Sequence, residues 1–147
     1  MKGIELFNSL EDLVNQVDNF DGPWLATPEK VENKDGTISF GLQGPKLAWD
    51  VNRYLWEYSG QYTPATDGNW QNDKHDHKYP TINHWDTKLQ EVMDKDSFNT
   101  LSKDEVYDFI FGLHHRNRIN DGLWCSMFDR GVMQKLLHRL LELENQK

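Results

Sequence analysis

Three groups of side chains in this sequence are of types that do chemistry. The first is His75-Asp76-His77, with His84 seven residues after His77 and Asp73 and Asp86 flanking. Imidazoles beside carboxylates are the ligand types of zinc or another divalent transition metal. In an extended segment His75 and His77 point the same way, so the pair can clasp one ion. The spacing follows no closed structural-zinc pattern and no cysteine lies nearby. The other reading of His75, His77 and His84 is a solvated polar loop, and the expectation for cofactors is none.

The second group is His114-His115-Arg116-Asn117-Arg118, followed by Asp121-Gly122. Arginines and histidines gathered at a helix end, before a glycine turn, grip phosphate or carboxylate through forked hydrogen bonds. His114, His115, Arg116 and Arg118 are therefore the candidate anion ligands, for a nucleotide or a phosphate. A structural reading stands beside this one: Arg118 caps carbonyls or pairs with Asp121, and Gly122 supplies an unusual backbone angle.

The third group is aromatic: Trp49, Tyr54, Trp56, Tyr58, Tyr62, Trp70, Tyr79 and Trp85. Any one of these fits a core, but six tryptophans in 147 residues leave some for recognition. Aromatic rings framing a polar loop stack bases or form the hot spot of a protein interface. Trp56 and Trp70, with the carboxylates Asp67, Asp73, Asp76 and Asp86, are the candidate partner-binding residues.

Motifs that are missing narrow the choice. The phosphate loop G-x-x-x-x-G-K-[ST], the dinucleotide fingerprint G-x-G-x-x-G, H-E-x-x-H and G-x-S-x-G do not occur. Cys125, the single cysteine, sits in the apolar run Leu123–Phe128 and reads as a small hydrophobe rather than a nucleophile. The balance leans away from an enzyme.

The elements that position these groups follow from periodicity and caps. Ser9 and Asp12 open a helix whose Leu6, Leu10, Leu13 and Val17 recur at helical spacing, and Asp21-Gly22-Pro23 stops it. Asp35-Gly36, between Lys30–Glu32 and Thr37–Leu42, signals a hairpin with Ile38, Phe40 and Leu42 on one buried face. Gly44-Pro45 opens a second helix with Leu47, Val51, Tyr54, Leu55 and Tyr58 in one stripe, ended by Gly60. From Gln61 to about Ile82 runs a long polar loop, of the kind that in a compact domain is functional or mobile. A short helix at about Asn83–Met93 follows, then one opened by the capping box Ser102 and Glu105, with Val106, Phe109, Ile110 and Leu113 on a face. Leu123–Asp129 and Val132–Leu143 close the chain, the last apolar over much of its circumference, so that it packs into the core or against a second copy. The expectation is a single domain over 1–147. Its class is α+β, mostly helical, with about five to six helices and a short β-hairpin near residues 24–42.

Charge bounds the partners. There are 16 basic and 24 acidic residues, a net charge of −8, and the pI is about 5.1. Residues 1–50 hold 4 basic against 9 acidic side chains, 51–100 hold 5 against 8, and 101–147 hold 7 of each. That argues against general nucleic-acid binding and against a basic membrane-surface protein. No apolar run approaches the roughly 20 residues of a membrane span, and Met1–Asp12 lacks the basic and apolar regions of a signal peptide. A cytoplasmic location is expected, the host cytoplasm for a phage-encoded chain.

The C-terminal half resembles a family of small bacterial and phage proteins known as a domain of unknown function. The family pattern is a helix ending in Arg-x-x-Arg-Phe, an acidic residue and Gly, then a helix, a second Gly, and a final helix ending in Arg-Leu. Here His115-Arg116-Asn117-Arg118-Ile119-Asn120-Asp121-Gly122, then Gly131, then Arg139-Leu140 match it. Gly36–Leu42 before Asp50–Tyr58 echoes the family's strand and aromatic-rich helix, and Trp70 its downstream tryptophan. His115 replaces the first Arg and Ile119 the Phe, and the loop Tyr62–Tyr79 is longer. The resemblance implies an α-rich fold and a microbial or phage origin, and no reaction. Together these readings point to a non-enzymatic binding or inhibitor protein. Its most concrete form is a phage-type inhibitor of a host defence nuclease, acting on a basic protein surface. A small-molecule binder or enzyme at His114–Arg118 is the alternative.

Overall fold

The computed structural model describes residues 6–25, 29–41, 44–63, 65–76, 78–79, 84–117 and 122–146. The fold is α+β and mostly helical. Helix α1 spans Leu10–Asp18; the Ser9 hydroxyl accepts from the Asp12 amide at 3.0 Å, as its sequence signature requires. It buries Leu10, Leu13, Val14 and Val17. Strands β1 (Glu29–Glu32) and β2 (Ile38–Gly41) pair antiparallel with Glu32 opposite Ile38. Asp35 closes the turn, accepting from both the amide and the hydroxyl of Thr37. The expected burial of Ile38, Phe40 and Leu42 lies outside the described side chains.

Helix α2 spans Lys46–Tyr58 and ends at Gly60, whose φ of 81° is the left-handed conformation glycine adopts without strain. Within the polar segment that follows, β3 (Tyr62–Thr63) pairs with β4 (Lys74–His75), an element that local periodicity does not announce. Helix α3 spans Trp85–Lys95, starting two residues later than expected. The reason is His84, at φ 64°, whose left-handed backbone cannot belong to the helix.

Helix α4 (Lys103–Arg116) is the centre of the molecule. Its capping box is formed as read, with Ser102 and Glu105 satisfying each other's backbone amides. The amphipathic face expected of it understates its burial: every residue from Val106 to Leu113 is buried, because α3, α5 and α6 pack around it. Helices α5 (Leu123–Asp129) and α6 (Val132–Asn145) complete the fold. In α6, Met133, Leu136, Leu137 and Leu140 have no exposed surface and pack toward α1, α4 and α5. Each such side chain contributes roughly 1.5–3 kcal/mol of burial. These residues of the leucine-rich helix pack into the chain's own core, the first of the two arrangements its sequence allows.

Two glycines mark close approaches. A Cβ on Gly44 would stand 2.1 Å from the Sγ of Cys125, which is buried as expected and whose thiol burial pushes up. A Cβ on Gly112 would stand 2.6 Å from the Trp85 ring, which packs against this bare stretch of α4. Among the described residues no helix is long and apolar enough to cross a membrane.

Candidate functional site

The polar segment between α2 and α3 is held by its own side chains. Gln61 is buried; its backbone carbonyl accepts from the Asp76 amide at 2.7 Å and its side-chain Oε1 from the Tyr79 amide at 2.7 Å. One residue thus ties both ends of the loop together. The Asp73 carboxylate accepts from the Tyr62 hydroxyl at 2.6 Å and the Ala65 amide at 2.8 Å, bracing the β3–β4 pair. Asp67 accepts from the Asn69 amide at 3.0 Å and the Asn72 side-chain amide at 2.7 Å, reaching both sides of Trp70. Tyr79 fixes the far end by donating its hydroxyl to Asp104 at the start of α4. Burial first and this bond second push the Tyr79 hydroxyl well above the usual range. The segment is thus a short β3–β4 hairpin whose connecting loop is braced by its own side chains.

At the tip of that loop, in a 3-10 turn over Trp70–Asn72, Trp70 is 76% exposed. Its partner candidate Trp56 is half-buried instead, stacked on Tyr62 at 6.3 Å between ring centres and edge-on to His75 at 6.0 Å. Trp56 therefore supports the base of the loop while Trp70 faces solvent.

The two histidine groups that lie far apart in sequence meet here. His75 comes from β4, and His114 and His115 from the last turn of α4. With Asp76 they line a cleft between Trp56, Gln61, Tyr79 and Phe111. Its free volume is about 10 Å³, room for one water. The His114 ring lies edge-on to three indoles: Trp49 at 6.4 Å, Trp56 at 6.2 Å and Trp124 at 5.6 Å. His115 is exposed at the rim. This convergence is a non-local contact with no local sequence signal.

Arg116 is turned away from the cleft. Its guanidinium lies 4.7 Å over the Trp85 ring and donates to Asp86 at 3.0 Å. The Arg116 bond, then the Thr87 amide, hold the Asp86 carboxyl below the usual carboxylate range. Arg116 and Asp86 are thus each other's partners, on the Trp85 side of the α4 terminus. Asp76 is exposed, whereas Asp73 is half-buried in its loop bonds. His84 is exposed at the start of α3. His77 and Arg118, with Asp121, lie outside the described residues. Among the described residues no three His, Cys, Asp or Glu side chains are arranged to hold a metal ion.

The bonds to Asp67 and Asp73 give the loop a pH dependence. The Tyr62 hydroxyl, then the Ala65 amide, lower the Asp73 carboxyl below its ordinary 3.8, and the Asn69 amide with the Asn72 side chain does the same for Asp67. A carboxyl depressed in the folded state stabilises it above the unfolded value, and that contribution vanishes as pH falls through the folded value. The Ala65 and Asn69 amide proton signals are expected to titrate with midpoints below 3.8 as the loop loosens. Midpoints at or above that value in an NMR titration would show that these bonds do not hold the loop.

Comparison of the chain with protein-family models, with curated proteins and with solved structures finds no match, so its function is read from this geometry and its chemistry.

Proposed function

We propose that this chain is a non-enzymatic binding protein that docks on a protein partner bearing a basic surface, with Trp70 at the point of contact. The observation that carries the reading is the 76% exposure of Trp70 on a loop closed by its own hydrogen bonds. A free indole costs solubility, and a rigid amphipathic ring on a braced loop is the usual make-up of an interface hot spot. The net charge of −8, all of it in the first 100 residues, selects a basic partner and speeds the encounter. The most concrete form is a phage-type inhibitor occupying the basic nucleic-acid groove of a host defence nuclease. Asp67 and Asp76 then face the partner, Asp73 braces the loop with acceptor capacity to spare, and Asp86 is paired with Arg116.

The test is site-specific crosslinking in cells. A benzophenone amino acid at Gln71, exposed beside Trp70, is expected to capture a basic protein; the same group at Glu91, exposed on α3, is not. Equal capture at both positions, or none at Gln71, contradicts the reading.

One observation favours a second reading, a small-molecule site for nucleotide or phosphate: His75, His114 and His115 share a cleft. At about 10 Å³ the cleft must open before it takes such a ligand. Shifts of the three imidazole signals on adding inorganic phosphate to the folded protein are expected under it, and their absence contradicts it.

A further inference from the structure

The chemistry of the partner can be narrowed by comparing Trp70 with Trp85, a half-buried tryptophan of α3. Trp85 and its neighbour Asp86 together grip a guanidinium: Arg116 stacks 4.7 Å from the ring centre while donating at 3.0 Å to the carboxylate. The Trp70 loop offers the same two kinds of group. Asp67 and Asp73 stand three residues before and after Trp70 in sequence, and backbone bonds from Asn72 to Asn69 and from Asp73 to Trp70 fold this stretch into a tight turn. Each carboxylate spends two lone pairs on the loop and has roughly two more to offer. Both stay ionised to a lower pH than an ordinary carboxyl because of those loop bonds.

Yet among the described residues no cation of the chain lies over Trp70. The nearest cations in sequence are spoken for or point outward: Lys78 lies 5.1 Å over Tyr79, and Lys74 is an exposed residue of β4. Trp is the best cation–π acceptor, and arginine exploits it best because a planar guanidinium stacks and hydrogen-bonds at once.

From this, and resting on the binding role assigned above to Trp70, we infer that the loop receives an arginine side chain from the partner's basic surface. The guanidinium stacks on the Trp70 indole and donates to a carboxylate of the same loop. The arrangement repeats between two molecules what Trp85, Asp86 and Arg116 do within one.

The experiment uses the full chain at about 0.15 M salt, where long-range attraction to its acidic surface is screened. Hexa-arginine and hexa-lysine, equal in charge, are titrated while the indole N–H signals are followed by NMR, the Trp70 signal being the one lost in Trp70→Ala. Hexa-arginine is expected to shift the Trp70 indole and the Asn69–Asn72 amides and to bind about threefold or more tighter than hexa-lysine. Trp70→Ala, a change at an exposed side chain, is expected to remove that preference and leave folding intact. Equal affinities, a silent Trp70 signal, or a preference that survives in Trp70→Ala overturns the inference. So does a Trp70 signal that moves with single-stranded oligothymidylate and not with the peptides, which makes the indole a base-stacking site. Capture of a basic protein at Gln71 with no arginine preference sinks this inference alone; absence of capture sinks the binding role beneath it.

Discussion

Trp124→Ala is expected to cost about 3–5 kcal/mol, the range for truncating a fully buried aromatic. Native domains hold about 5–15 kcal/mol in all, so the variant stands near the edge of folding. Trp124 has no exposed surface and does three jobs. Its indole N–H donates to the Ala48 carbonyl at 2.8 Å, tying α5 to α2. Its ring packs on Trp49 at 6.3 Å and Phe128 at 5.6 Å. It also forms one wall around His114, so its loss loosens the cleft as well as the core. At about 2–4 °C per kcal/mol for a chain of this size, the melting temperature falls by about 10 °C. Trp124→Phe keeps most of the apolar contact and loses the bond to Ala48, so it is expected to lie between the two in calorimetry. A melting temperature for Trp124→Ala within a degree or two of the parent would show that α2 and α5 are not joined here.

Gly112→Ala tests a conflict between local and tertiary preferences. Inside a helix, alanine is better than glycine by about 1 kcal/mol, so propensity alone forecasts a more stable protein. The new methyl would stand 2.6 Å and 2.7 Å from Trp85 ring carbons, and the ring cannot yield without leaving α4. Overpacking of this kind costs about 1–3 kcal/mol, so the clash outweighs the propensity. Since the Trp85 ring carries Arg116, the Arg116–Asp86 pair is expected to separate with it. A shift of the urea midpoint to lower concentration is the expected readout. A shift to higher concentration would mean that Trp85 does not lie on Gly112.

These two residues also show how far the sequence can be read. Elements set by neighbours along the chain were legible. The Ser9 cap, the Ser102–Glu105 box, the Asp35-Gly36 turn and the bounds Leu123–Asp129 all follow from local hydrogen bonding and periodicity. What was not legible depends on residues distant in the chain. Nothing near Gly112 says that Trp85 lies on it, and nothing near Tyr62 says that His75 is its strand partner. For the same reason the histidines read as two separate groups, though the β3–β4 pair brings His75 to His114 and His115. Arg116 makes the same point: the partners that hold it, Trp85 and Asp86, lie about 30 residues away in sequence. Trp70 is exposed because its neighbours brace the backbone and leave the indole to solvent.

The measurement that bears most directly on the central claim is the affinity of Trp70→Ala for the protein captured at Gln71. The account predicts a loss of at least about 30-fold in Kd, some 2 kcal/mol, with an unchanged melting temperature. An unchanged Kd in a folded Trp70→Ala would contradict it and return attention to the cleft of His75, His114 and His115.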